Sequence, residues 1–303
     1  MTAAPQSTQD QNRASHDLDG TRFVKITGPV GDWVVFYDPT DSVQITDTQA
    51  VTLCDRIAGV GATGIVAVKP ALEQSSATAA EYRLMAWQAD GQPASNMTEP
   101  ARMATCILAV LKKIASEETS HHIFETDFGP ITTVYTPSYI GVDIGSWKFS
   151  DAETAVAAGS DVLVMAAGLL DPRPGLSIHI QSNHVTVAVE TLEELETIDL
   201  EQQPSIEPPA PRLTSINFVI PQDPLMTSGM GQLRLRNYTG KQHGHDLASA
   251  AAAASVALQN WTSLDQLNVW NVATQHGDIV VQIHDQDRLS TFAKLTAVFF
   301  GKL

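Results

Sequence analysis

Two stretches of this chain, 101–111 (ARMATCILAVL) and 247–258 (LASAAAAASVAL), are apolar on nearly every side. A helix lying on a protein surface carries a polar stripe, so a helix without one has to be enclosed by the rest of the chain. The alanine-rich second stretch lets neighbouring backbones approach closely, because alanine forms helix well and adds little bulk. Runs of strand character flank both helices. They fall at 64–68 and 82–87 before the first helix. Others at 142–144, 161–165, 177–180, 185–189, 215–220 and 233–235 precede the second helix, and 277–283 and 295–300 follow it. Strands gathered around two buried helices make the fold class α+β. A shorter helix is expected over 46–59, where Thr46 and Gln49 form a capping box and Gly59 closes the end. Its apolar positions Ala50, Leu53, Cys54 and Ile57 recur at helical spacing, which turns Cys54 into the core.

Composition narrows the function. With 303 residues, 43% of them hydrophobic, the chain is long enough for two domains with a real core. A net charge of −16 without clustered Lys and Arg argues against a nucleic acid or an anionic membrane as partner. Cys54 and Cys106 are too far apart in sequence for a disulfide framework or a metal-type spacing. His243, His245 and Asp246 share one loop but have no partner cluster, so no metal is expected. Residues 1–20 are polar and aperiodic, which predicts a disordered tail. No run approaches signal-peptide or membrane-span length, and a cytoplasmic protein is the expectation.

Motifs add a resemblance. Leu53-Cys54-Asp55-Arg56 followed by Gly59-Val60-Gly61-Ala62-Thr63-Gly64, after a strand-like opening at Phe23, resembles the first segment of the diaminopimelate epimerases. The likeness extends more weakly over 22–303. It implies two pseudo-symmetric β-barrel-like halves, each wrapped around a central helix, with a ligand cleft between them. The halves would be 21–140, completed by about 290–303, and 141–289. In that family one catalytic cysteine lies in Asn-Ala-Asp-Gly-x-x-Ala-x-Met-Cys, just before the first buried helix. The stretch 88–102, QADGQPASNMTEPAR, aligns without a gap and puts Met97 at that cysteine. The second motif, laid before the second helix, puts Asp246 at the other. Substrate-contact positions implied by the resemblance are Gln88, Thr98, Glu99, Ser182 and Asn217. Arg102 and His184 read as structural residues.

Cofactor-free epimerisation takes a proton from one face of a carbon and returns one to the other, so two groups of matched basicity must face each other. A thioether has no proton to exchange. Cys106 lies about two and a half turns beyond Met97, too far along the helix to replace it. Pro100 also deletes a backbone N–H from the helix start, and Glu99 and Asp246 put anions where a substrate carboxylate would dock. The resemblance therefore implies a protein with the fold but without the two-thiol mechanism. Such a relative would act as a regulatory or scaffolding subunit, paired with itself or with an active epimerase, or as a binder of a small amino-acid-like ligand, with no cofactor. The alternative is an active isomerase of the diaminopimelate (lysine) route, or a related one, using Glu99, His245 or Asp246 as acid and base.

Overall fold

The computed structural model describes residues 18–72, 80–115, 117–211, 213–240 and 247–303. His243, His245 and Asp246 lie outside the described residues. The first half contains β1 (Arg22–Gly28), β2 (Gly31–Tyr37), α1 (Asp47–Cys54), β3 (Gly64–Pro70), β4 (Tyr82–Gln88), α2 (Thr98–Val110), β5 (Ser120–Glu125), β6 (Ile131–Tyr135) and β7 (Ile140–Ser146). The second opens with β8 (Lys148–Phe149), α3 (Ala152–Ala158), β9 (Val162–Met165), β10 (Arg173–Ile180), β11 (Ser182–Ala188), α4 (Leu192–Thr197) and β12 (Ser205–Glu207). It continues with β13 (Ser215–Thr227), β14 (Met230–Tyr238), α5 (Leu247–Thr262), β15 (Val269–Thr274), β16 (Gly277–His284) and β17 (Arg288–Ala293), and β18 (Thr296–Lys302) follows.

One connectivity is used twice. In the first half β1 and β2 form an antiparallel hairpin, β3 joins β2 in parallel, and β4 returns antiparallel to β3. After α2, β5 joins β4 in parallel and β6 and β7 add antiparallel strands. The second half repeats each step with β10, β11, β13, β14, α5, β15, β16 and β17. The last strands of the two repeats, β7 and β17, pair with each other, so among the described residues one 18-stranded sheet runs through both halves. β18 then crosses back and pairs with β1. The class is α+β, with both long helices held inside curled sheet.

The two helices are buried as their sequences require. Every residue of α2 from Thr98 to Leu108 and every residue of α5 from Ala248 to Leu258 is buried. α2 packs against β1 to β4, β6, β7 and β18, and α5 against β10, β11 and β13 to β17. Large side chains such as Met103, Ile107 and Leu108 fill the first barrel, each contributing about 1.5–3 kcal/mol by leaving water. In the second barrel, five successive alanines from Ala250 to Ala254 bring the strands close to the helix, and larger groups from the sheet, among them Trp270, fill the remaining space.

Arg102 is the charged exception inside the first barrel. It is fully buried, and its Nε donates to both carboxylate oxygens of Glu99 at 3.2 Å. Its Nη1 donates to the Ile140 carbonyl at 2.6 Å and the Thr291 carbonyl at 2.9 Å, and its Nη2 to Thr291 Oγ1 at 2.9 Å. These bonds tie α2 to β7 and β17, the seam between the halves.

Two expectations are corrected. The first helix stops at Cys54, and Ile57, read as a core position, is 98% exposed. The Asp55 carboxylate accepts from the backbone N–H groups of Ile57 and Ala58 at 2.7 Å each, and this local turn outcompetes another helical turn. The tail expected to be disordered to residue 20 is anchored at its end: Leu18 is buried beside Phe23, and Gly20 N–H donates to the Leu303 carbonyl at 2.7 Å.

Removing Arg102 strands a buried carboxylate. Arg102→Leu is expected to lower stability by about 3–5 kcal/mol in urea unfolding. Adding Glu99→Leu to it should recover part of that loss, because the uncompensated charge goes too.

Candidate functional site

A cleft of about 680 Å³ opens where the two halves meet. The first half supplies Trp33, Gln88, Ser95, Asn96 and Met97, and the second supplies Gln181, Ser182, Ser215 and Thr239. β7 and β17 add Asp143 and Arg288, which form an ion pair. The strands deliver these groups by alternation, and the loop after β4 delivers Asn96 and Met97 at the start of α2.

Several backbone groups at the start of α2 are taken up within the protein. Asn96 Oδ1 accepts from Thr98 N–H at 2.8 Å, Pro100 has no N–H, and Ala101 N–H already bonds the Met97 carbonyl at 2.9 Å. Asn96 Nδ2 also donates to Gln181 Oε1 at 3.2 Å, linking the first half to the second at the cleft. Glu99 does not cap the helix from the cleft side. It is buried, bound to Arg102, and absent from the described lining of the cleft, so it is not placed to exchange protons with a ligand. Thr98 is buried as well, and its Oγ1 has no hydrogen-bond partner.

On the opposite wall Ser182 and Ser215 line the cleft in front of a buried polar cluster. Ser182 Oγ lies 2.9 Å from His184 Nε2. Asn217 Nδ2 lies 3.5 Å from His184 Nδ1 and 3.4 Å from Thr186 Oγ1, and Ser215 Oγ donates to Asn217 Oδ1 at 3.4 Å. Asn217, expected at the ligand, is fully buried behind the two serines. Burial pushes the His184 imidazole down to about 4, against a smaller opposing effect of a backbone hydrogen bond with Ile180.

Neither thiol lines the cleft. Cys54 sits in the core under β2 and β3, and Cys106 in the core around α2. Burial raises the Cys54 thiol to about 11 and the Cys106 thiol to about 12, so both are protonated near neutrality. Of the positions taken from the resemblance, Gln88, Met97 and Ser182 come together in the cleft, whereas Thr98, Glu99 and Asn217 do not line it. Asn96, Gln181, Asp143 and Arg288 were missed. Only Asn96 carried a sequence signal, an asparagine just before a helix. A second cleft of about 640 Å³ lies by the β1–β2 turn and the start of α5, with Asp32, Arg56 and Arg236 on its walls.

No protein-family model matches the sequence. Among solved structures, a phenazine biosynthesis protein of the PhzF family from Bacillus anthracis is 13% identical, with a TM-score of 0.61 over 93% of this chain and 98% of that one. A hydroxyproline epimerase from Agrobacterium vitis, solved with trans-4-hydroxy-L-proline, is 9% identical, with a TM-score of 0.57 over 93% and 92%. A methylitaconate-delta-isomerase is 11% identical, with a TM-score of 0.51 over 94% and 96%. At these identities the likeness establishes the fold, the two-half α+β architecture shared with epimerases and isomerases.

Two outcomes follow from the buried groups. A thiol-specific disulfide reagent at pH 8 should label neither cysteine of the native protein within minutes, and both once guanidinium is added. Stability should fall as pH drops from 6.5 towards 4, because the unfolded chain takes up a proton on His184 that the folded one refuses until about 4. The loss amounts to about 3 kcal/mol at most, and denaturant melts of His184→Gln should show a shallower slope in that window.

Proposed function

We propose that the chain is a non-catalytic relative of the diaminopimelate epimerases that binds a small molecule in the cleft between its halves. The carrying observation is Met97: at the start of the first buried helix, facing the cleft, stands a thioether that cannot exchange a proton. The protonated, buried state of Cys54 and Cys106 supports the same reading, since no other sulfur can take over the step. The Asn96 bond to Thr98 N–H at the start of α2 supports it further, because a substrate carboxylate bound to that N–H would have to displace Asn96. Regulation or scaffolding as a homodimer, or as a heterodimer with an active epimerase, belongs to this reading, as does a cytoplasmic setting.

A second reading keeps catalysis: an isomerase of the diaminopimelate route, or a related one, working through carboxylate and histidine groups such as Asp246 and His245. What favours it is a cleft lined by both halves with the Ser182–His184 contact at its wall. Against it, Glu99 is tied to Arg102, and an imidazole held near 4 is a weak base.

Incubation with LL-diaminopimelate in heavy water separates the two. The expected result is no deuterium at the α-carbon by mass spectrometry, for the native protein and for Met97→Cys, where one restored thiol has no second thiol to work with, Cys54 and Cys106 being buried in the cores. Exchange at enzymatic rates in the native protein would sink the first reading and leave the second.

A further inference from the structure

The cleft carries an ion pair whose placement takes two irregular pieces of backbone. Asp143 stands in β7 just before a bulge: Leu289 pairs with Gly145 and Ser290 with Asp143, so Ile144 has no partner of its own on β17. Gly145 takes φ 85°, and its N–H donates to Asp143 Oδ1 at 2.9 Å, which fixes the carboxylate. Arg288 opens β17 directly after Gln286 and Asp287, which are at φ 59° and 57°, a region that residues with side chains rarely occupy. Bulge and turn meet on the seam between the halves, and there Arg288 Nη2 donates to Asp143 Oδ2. A half-exposed ion pair contributes little to stability, and the seam is already held by the buried Arg102. Bulges re-aim side chains, and disfavoured backbone persists where a site needs it, so the pair reads as part of the cleft's working surface.

What the pair can hold follows from its charges. The Arg288 guanidinium uses one N–H on Asp143 and bonds no other group among the described residues. Each Asp143 oxygen accepts one bond, from Gly145 or from Arg288, and keeps a further lone pair. Donor and acceptor therefore stand side by side at the cleft wall. A ligand carboxylate drawn to Arg288 comes up against Asp143, and an ammonium drawn to Asp143 comes up against Arg288. Either would give up its hydration for a charge that is already neutralised. A carboxamide meets no such opposition, because its carbonyl accepts from Arg288 while its N–H donates to Asp143. The other walls have the same two-way character. The Gln88 carboxamide has no protein partner among the described residues, and Gln181, which accepts from Asn96 through Oε1, keeps its NH₂ group. Met97 and Phe128 add apolar surface to the same cleft.

We propose that Asp143 and Arg288 are the specificity-determining pair of the cleft, and that they select an uncharged ligand carrying a carboxamide-type group, an amide, lactam or urea, over carboxylates and amines. The inference rests on the reading of this cleft as a small-molecule site and names the ligand class for it.

Saturation-transfer NMR titrations of the full chain with benzamide, benzoate and benzylamine, which share a ring and differ in charge, give three dissociation constants to compare. Benzamide should bind roughly tenfold tighter than either ion. Asp143→Asn leaves Arg288 unopposed and should move benzoate to first place, whereas Arg288→Gln leaves Asp143 unopposed and should move benzylamine there. A purely structural role would weaken all three probes together. The double variant Asp143→Asn/Arg288→Gln, with both charges gone, should keep benzamide first. With the native protein it decides the matter if a single variant fails to melt cooperatively. An ion that outranks benzamide on the native protein or the double variant, or folded single variants that keep the native order, would overturn the proposal. If no probe binds, the proposal falls together with the small-molecule reading of the cleft, whereas a wrong order sinks the proposal alone.

Discussion

An apolar cylinder is stable in water only when something covers its whole circumference, and this chain makes two of them. Covering α2 and α5 on every side takes more strands than a flat sheet on one face can bring, so the sheet curls around each helix. The start of α2 is thereby left as a narrow opening where the two curled units meet, and the cleft lies there. Arg102 is the one cation inside the α2 core among the described residues, and it spends its donors on Glu99 and on the seam strands β7 and β17. The charge pair therefore serves the junction of the two halves.

The halves share a path but not a chemistry. Around α5 the helix is thin and the sheet brings the bulk, whereas around α2 the helix brings it. On the cleft walls one half offers Trp33 and Met97 beside Gln88 and Asn96, and the other offers Ser182 backed by His184. A symmetric pair of thiols would have suited a reaction run from two equivalent faces.

Much of the fold was readable because enclosure leaves a mark on every residue of a helix. Several strands around α2 and α5 were found where they are continuously apolar, as at Ile65 to Val68, which are all fully buried, although β2, equally buried over Trp33 to Phe36, was not singled out. β5, with its two histidines, and the half-exposed β6 and β15 were not, since partial burial dilutes their pattern. Met97 lines the cleft, and its thioether cannot be a base in any conformation. Side-chain partners across the fold were not legible in the sequence. Glu99 looked like an anion at a helix start until Arg102 was seen to hold it, and Asn217 looked like a ligand contact until the register placed it behind Ser182 and Ser215. Ile57 misled for the opposite reason, because a single aspartate at 55 diverted the backbone locally.

The pairing of β18 with β1 has a consequence for how the molecule is made. During translation β1 leaves the ribosome early, yet the neighbour that completes its edge emerges only after the whole second half has been built. Until then Val24 and Ile26 lack their final cover, and the nascent first barrel carries an open seam. The closing of that seam by Thr296–Lys302 ends the wait.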